Sequence, residues 1–335
     1  MNEIVHGGRL DEAVKQFGGP RDAWVDLSTG INPHTYPVPE ISAAAWADLP
    51  DDAATGRAAD AARAAYGADA LVGVSLAAGS QMHIQVLPYL FKPQPIAIVG
   101  FTYQEHGVCW RRAGHEVYVT DGLGSAEATA RIVIVVNPNN PDGRVFDRSD
   151  LVSLARRLGA KGGMLIVDES FADVSPHSSV AEEAGRDGLF VMRSLGKFFG
   201  LAGVRLGVGL GSQALISRLN ERLGPWPVSG AALEIATDCL SNTAWHRKML
   251  KKLNNEREKL EEVLIANGHE IVGGTALFVL SRHGGATELW QHLAQAKILT
   301  RSFPGKPDWL RFGLPAGRAA LNKLNRTLAD FYKMD

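Results

Sequence analysis

The sequence predicts an α/β protein, with a mostly parallel central sheet in a large domain and a smaller α+β domain after it in the chain. Three observations carry this expectation. Short apolar runs alternate with helical patterns between residues 96 and 210, polar residues stand at the ends of those runs, and a second, shorter alternation follows a long charged helical stretch. A hydrophobic content of 45%, a charged content of 21% and 36 glycines in 335 residues suit an ordinary soluble α/β chain rather than a disordered or fibrous one.

In order, residues 1–40 read as an arm: His6-Gly7-Gly8, a short helical run, Asp26-Leu27-Ser28-Thr29-Gly30-Ile31-Asn32-Pro33, and an exit through Pro37 and Pro39. Such a segment packs on another part of the chain, here the smaller domain, because it holds too little apolar surface for a core of its own. The large domain is expected over 41–242 and the small one over 243–335. Helical patterns at 57–66 and 80–91 come next, the second opening on Ala78-Gly79-Ser80-Gln81. Free backbone N–H groups at such a start seat an anion, although most starts of this kind are only caps.

Apolar runs at 96–99, 116–119, 131–136, 164–167, 189–192 and 204–210 then read as strands of a helix-covered sheet, with helices at 105–113 and 151–158 between them. Asn137 to Asn140, Asp168 and Lys197 follow three of these runs. In open α/β sheets ligands sit at the carboxyl ends of strands, so these three loops are expected at one crevice. Gly207-Val208-Gly209-Leu210-Gly211 imitates a dinucleotide fingerprint, but Ser212 follows it and no acidic ribose partner stands at the right distance. It reads as a strand whose small residues let other atoms approach. The amphipathic stretch 243–267 and the alternation at 276–280, 283–297, 298–300, 309–312 and 316–332 form the small domain.

A net charge of -1 and a pI near 6.8 leave no electrostatic footprint for nucleic acid or an anionic membrane surface. Cys109 and Cys239 provide neither a disulfide framework nor a metal cluster, so no metal is expected and a reducing cytoplasm is. Met1-Asn2-Glu3-Ile4-Val5-His6 lacks the form of a secretion signal, and no apolar run reaches membrane-spanning length.

The chemistry centres on Ser194-Leu195-Gly196-Lys197-Phe198-Phe199-Gly200-Leu201-Ala202-Gly203-Val204-Arg205-Leu206-Gly207. A lysine among glycines and apolar residues suits an amine held from water, and a neutral amine condenses with an aldehyde. Ser194 and Arg205 flank it as a hydroxyl donor and a planar cation, a pairing for a phosphate monoester. Asn137-Pro138-Asn139-Asn140-Pro141-Asp142-Gly143 alone reads as a plain turn. Asp168 ends a buried run, where a carboxylate is costly without a cation nearby. Together these residues meet the needs of pyridoxal 5'-phosphate: Lys197 for the aldehyde, Asp168 for the ring nitrogen, Asn140 for the ring oxygen, and Ser80, Gln81, Ser194 and Arg205 for the phosphate. Tyr103 suits the ring face, although by itself it reads as packing.

The motifs Asn-Pro-x-Asn-Pro-x-Gly at 137–143, Asp-Glu-x-Phe at 168–171 and Ser-x-x-Lys-x-x-Gly-Leu-Ala-Gly-x-Arg-x-Gly at 194–207 resemble the fold-type I pyridoxal-phosphate enzymes, in the branch near histidinol-phosphate aminotransferase. The likeness spans about residues 6–311. Within that branch the chain resembles the threonine-phosphate decarboxylases of cobalamin biosynthesis, through its His6-Gly7-Gly8 opening, the 26–33 segment and Leu49-Pro50-Asp51, which replaces an aminotransferase Tyr-Pro. Phe171 likewise stands where aminotransferases carry a tyrosine, leaving Asn140 as the main donor to the ring oxygen. The resemblance implies a homodimeric lyase acting on a phosphorylated amino acid. It also implies Arg311 for the substrate carboxylate, and Arg301 and His6, with Asn32 nearby, for its phosphate. An aminotransferase acting on histidinol phosphate or a related amino acid shares every cofactor residue and is the alternative.

Overall fold

In the computed structural model, which describes residues 7–186 and 188–331, the chain divides into two units. Among the described residues, the larger holds 35–140 and 144–246, and the other holds 7–34, the turn 141–143 and 247–331.

The arm carries α1 (Leu10–Phe17) and β1 (Val25–Asp26). Leu10 and Ala13 bury one face of α1 against Trp24, Ala294 and Leu299, and β1 pairs in parallel with residues 298 and 299. The larger unit opens with α2 (Ala43–Ala47) and α3 (Asp52–Ala65). Each has its first turn satisfied by a side chain, Ser42 on the Ala45 N–H and Asp51 on the Ala54 N–H.

Seven strands follow: β2 (Gly73–Ala77), β3 (Pro95–Val99), β4 (Glu116–Thr120), β5 (Ile132–Val136), β6 (Met164–Asp168), β7 (Leu189–Ser194) and β8 (Gly207–Gly211). They form one sheet in the order β2-β8-β7-β6-β5-β3-β4. β4, β3, β5, β6 and β7 run parallel, and β8 is antiparallel to both β7 and β2. Between the strands run α4 (Ser80–Val86), α5 (Glu105–Arg112), α6 (Leu123–Thr129) and α7 (Arg148–Gly159), and after them come α8 (Gln213–Leu223) and α9 (Gly230–Ser241). Ile132, Ile134, Ile166, Phe190 and Met192 pack with Trp110 and Leu219 in one core. Each such side chain contributes about 1.5–3 kcal/mol relative to exposure, so β5, β6 and β7 are the rigid rods that carry the polar loops.

The smaller unit continues through α10 (Thr243–Ala266), which crosses the boundary at residues 246 and 247, and then β9 (Glu270–Thr275), β10 (Phe278–Arg282), α11 (Ala286–Gln295), β11 (Ile298–Leu299), β12 (Arg301–Phe303), β13 (Lys306–Gly313) and α12 (Arg318–Phe331). β12, β13, β10 and β9 make an antiparallel sheet in that order. No helix among the described residues is long and apolar enough to cross a membrane.

Two local expectations fail, and two strands lie where none is expected. The run expected as a strand over 204–210 begins only at Gly207, because residues 202–204 form a 3-10 turn and Arg205 is left-handed at φ 55°. β2 and β9 were not anticipated, since Ser75 and the Gly273-Gly274 pair break the apolar pattern each strand needs to be read. The helix expected over 80–91 gives way after Val86 to a 3-10 turn containing Pro88, which has no N–H to continue the α ladder.

Candidate active site

The loops leaving β5, β6 and β7 meet at one cavity of about 160 Å³ in the larger unit. Asn140, Asp168 and Lys197 line it, and so do Ser80, Gln81, Tyr103, Ser194 and Arg205. Two hollows elsewhere are larger, about 300 Å³ beside Tyr89 and Arg222 and about 240 Å³ beside Trp290 and Trp309, but neither is lined by a carboxylate, and burial and Glu105 push the Cys109 thiol of the first up to about 11.

Asp168, the last residue of β6, is 3% exposed. Its Oδ1 accepts from the Ser170 N–H at 2.9 Å and the Ser170 hydroxyl at 2.5 Å, and its Oδ2 accepts from His106 Nε2 at 3.0 Å. Burial by itself raises a carboxyl pKa, but His106 and Ser170 outweigh it and hold Asp168 below the usual carboxylate range. The result is a buried, ionised carboxylate, the kind of group that holds a cationic ring nitrogen. His106 is itself buried in α5, with Tyr103 edge-on to it at 6.1 Å. The Tyr103 hydroxyl donates to Gln81 Oε1 at 3.1 Å, and Gln81 Nε2 donates to Glu105 at 3.2 Å. This chain ties α4 to α5 across the cavity rim. Burial, then Glu105 and Asp168, push the Tyr103 phenol up, so it stays a neutral donor.

Lys197 follows β7 in a tight turn and is half-buried, with its Nζ 5.7 Å from the centre of the Phe171 ring. Phe171 is itself buried, so the lysine stem lies against an apolar wall. Ser194 is 7% exposed. At the other end of the cavity the backbones of α4 and β8 come very close. A Cβ on Gly207 would lie 2.2 Å from the Ser80 nitrogen, and one on Gly79, at φ 81°, would lie 2.5 Å from an Arg205 guanidinium nitrogen. Only glycine leaves room there for Arg205 to close over the start of α4, which makes a seat of backbone N–H, hydroxyl and guanidinium donors suited to a phosphate.

The remaining expected residues lie in the smaller unit. Arg311 on β13 is 6% exposed, donates to the Ser28 carbonyl at 2.9 Å, and faces Arg301 across the β12–β13 pairing. Burial, and after it the Arg301 charge, pull the Arg311 guanidinium below its ordinary value, so an anion is favoured beside the pair. Asn32 is buried and accepts from the His34 N–H at 2.8 Å. His6 lies outside the described residues.

A family profile described as aminotransferase class I and II matches residues 60–324. The chain belongs to this aminotransferase family. It is 41% identical over 333 residues to a threonine-phosphate decarboxylase from Pseudomonas aeruginosa, covering 98% of each chain. It is 40% identical over 328 residues to another from a Sinorhizobium species, covering 97% of this chain and 98% of that one. Among solved structures, histidinol-phosphate aminotransferase from Sinorhizobium meliloti in complex with pyridoxal-5'-phosphate superposes with a TM-score of 0.81 at 14% identity, covering 99% and 95% of the two chains. L-threonine-O-3-phosphate decarboxylase from Porphyromonas gingivalis gives 0.77 at 20% identity, covering 92% and 99%. The fold is therefore that of the fold-type I aminotransferases, with a mostly parallel central sheet.

Two residues of this family member escaped the sequence reading. His106 and Ser170 are the groups that keep Asp168 ionised. Ser170 had a local signal, since an Asp two residues before a Ser readily accepts from its N–H and hydroxyl. His106 had almost none, for its partner is 62 positions away.

Proposed function

We propose that this chain is a pyridoxal-phosphate-dependent lyase that converts L-threonine O-3-phosphate to (R)-1-amino-2-propanol O-2-phosphate and carbon dioxide for cobalamin biosynthesis, as a cytoplasmic homodimer. The cofactor, when bound, supplies an aldehyde for amines and an electron-withdrawing ring. The residues present fit it: a buried carboxylate held ionised, a half-buried lysine in the same cavity, and a cradle that a Cβ at Gly79 or Gly207 would fill.

Lys197 would hold the cofactor by its amine, Asp168 would keep the ring nitrogen protonated, and Asn140 would donate to the ring oxygen, with no tyrosine hydroxyl at Phe171 to help. Tyr103 covers the ring face. Ser80, Gln81, Ser194 and Arg205 hold the phosphate. Once the substrate amine had taken its place on the cofactor, the freed Lys197 amine would be the group to hand a proton to the substrate carbon vacated by carbon dioxide. Arg311 takes the substrate carboxylate, and Arg301 and His6, with Asn32, take its phosphate. Two arginines facing one another across paired strands repel unless anions accompany them, and this substrate carries two anionic groups.

The observation that carries the reading is a half-buried amine and a buried ionised carboxylate lining one cavity, in a chain 41% identical to a threonine-phosphate decarboxylase. The test is incubation of the cofactor-loaded protein with L-threonine O-3-phosphate. Carbon dioxide released in step with amine, with no need for 2-oxoglutarate, is expected. Glutamate formed from histidinol phosphate and 2-oxoglutarate, without carbon dioxide from threonine phosphate, would replace this reading with the aminotransferase one.

A further inference from the structure

Behind the cavity lies a second charged cluster with no place in the chemistry above. Arg193, the residue before Ser194, is 3% exposed, and its guanidinium bonds Glu169 at 2.8 Å and Asp173 at 2.9 Å. The guanidinium carbon also lies 4.1 Å from the centre of the Tyr66 ring. Glu169, the residue after Asp168, is fully buried and also accepts from the Ser179 hydroxyl and the Val180 N–H, each at 2.6 Å. β6 and β7 are in register, with Asp168 opposite Met192 and the Glu169 N–H bonded to the Met192 carbonyl. Side chains alternate along strands, so Arg193 and Glu169 leave one face of the sheet while Ser194 and Asp168 leave the other.

The cluster also reaches the lysine loop. The Asp173 carbonyl bonds His246 Nε2 at 3.0 Å, and the His246 ring packs on Phe198, next to Lys197, at 4.3 Å. One guanidinium thus ties together the segments that carry Asp168, Ser194 and Lys197. As a source of stability alone it is poor, because buried ion pairs about break even against an apolar core. Asp173 Oδ2 and Arg193 Nε, moreover, are buried without hydrogen-bond partners among the described residues. What the fork geometry of a guanidinium fixes is direction.

We infer that Arg193 is a positioning residue, which through Glu169 and Asp173 sets the directions of Asp168, Ser194 and Lys197 and so the affinity and protonation of the cofactor in their cavity. The inference rests on the cofactor reading given above. Burial pulls the Arg193 pKa down, but Asp173 and Glu169 more than restore it, so the guanidinium clamp stays charged; burial also pushes the Glu169 carboxyl above its ordinary value, against Arg193, Ser179 and the Val180 N–H.

The test compares the wild-type chain with Arg193→Lys, which keeps the charge and loses the fork. It also includes Asp173→Asn, which removes one arm at nearly constant shape, and Leu158→Ala, a buried core truncation on α7. Pyridoxal phosphate is titrated into each cofactor-free protein, the pH midpoint of the bound absorbance is recorded, and thermal unfolding is followed in parallel. The clamp predicts about a ten- to hundredfold loss of cofactor affinity in Arg193→Lys, the scale of a misplacement near 1 Å, together with a shifted pH midpoint. Asp173→Asn should move both in the same direction by less and serves alone if Arg193→Lys does not fold, while Leu158→Ala should lower the melting temperature only. Arg193→Lys and Asp173→Asn with wild-type affinity and midpoint, whatever their melting temperatures, would overturn the inference. A wild-type chain that binds no pyridoxal phosphate would instead overturn the cofactor reading and take this one with it.

Discussion

Replacing His106 with Phe fills the ring's volume and removes the donor at 3.0 Å from Asp168 Oδ2, leaving the carboxylate with the two Ser170 donors on Oδ1. A hydrogen bond to a charged group is worth about 1.5–3 kcal/mol, so the neutral-pH stability of the cofactor-free protein should fall by that amount. The same loss raises the Asp168 pKa toward and past its ordinary value, because burial then acts against fewer donors. In the wild-type chain this carboxyl is held below its ordinary value, so its contribution is present above the unfolded-state pKa, about 3.9, and is lost as pH falls through the folded-state value. The gap between wild type and His106→Phe should therefore be widest near neutrality and should close as acid protonates Asp168 in both proteins. Denaturant unfolding of the cofactor-free proteins from pH 7 down to the acid limit of folding measures it. A gap that is absent at pH 7, or that stays constant with pH, would refute the assignment of His106 as the group that keeps Asp168 ionised.

Gly207→Ala drives a Cβ to 2.2 Å from the Ser80 nitrogen, which is backbone and cannot swing aside. Both the melting temperature and the affinity for pyridoxal phosphate should fall, the latter by more than about tenfold, as read by titration of the cofactor-free protein. Phe171→Tyr adds a hydroxyl beside Lys197 and should lower the pH midpoint of the cofactor's absorbance change by about one unit, since a second donor favours the ionised ring oxygen. Arg301→Gln should raise the KM for threonine phosphate by about tenfold or more, the worth of one charge-assisted bond, while leaving cofactor affinity unchanged in the same titration.

The central strands were legible because β5, β6 and β7 are buried on both faces, which writes them as unbroken apolar runs with a polar residue at the end of each. Asp168 ends β6, and the loops after β5 and β7 carry Asn140 and Lys197, so adjacent parallel strands bring the three to one edge of the sheet. Features that depend on a close approach of distant backbone were hidden. The left-handed Arg205 is one, because nothing in a Val-Arg-Leu sequence announces a positive φ, and its position is set by how near β8 runs to α4. β2 is another: with Ser75 and Gly73 it becomes a strand only because β8 offers a partner edge. The supports of the candidate site were hidden for the same reason. His106 and Asp168 are 62 positions apart, and Arg193 draws on Glu169 and Asp173 from the stretch after β6 and on Tyr66 from the end of α3. Motifs record which residues face a ligand, whereas the groups that aim those residues are defined by contacts.

The central claim is that the amine of residue 197 holds the cofactor. Borohydride reduction of the pyridoxal-phosphate-loaded protein, followed by proteolysis and peptide mass mapping, tests it without reference to substrate. The account predicts one phosphopyridoxyl group per chain on the peptide containing Lys197, and none in Lys197→Ala. The label on a different lysine, or its persistence in Lys197→Ala, would contradict it.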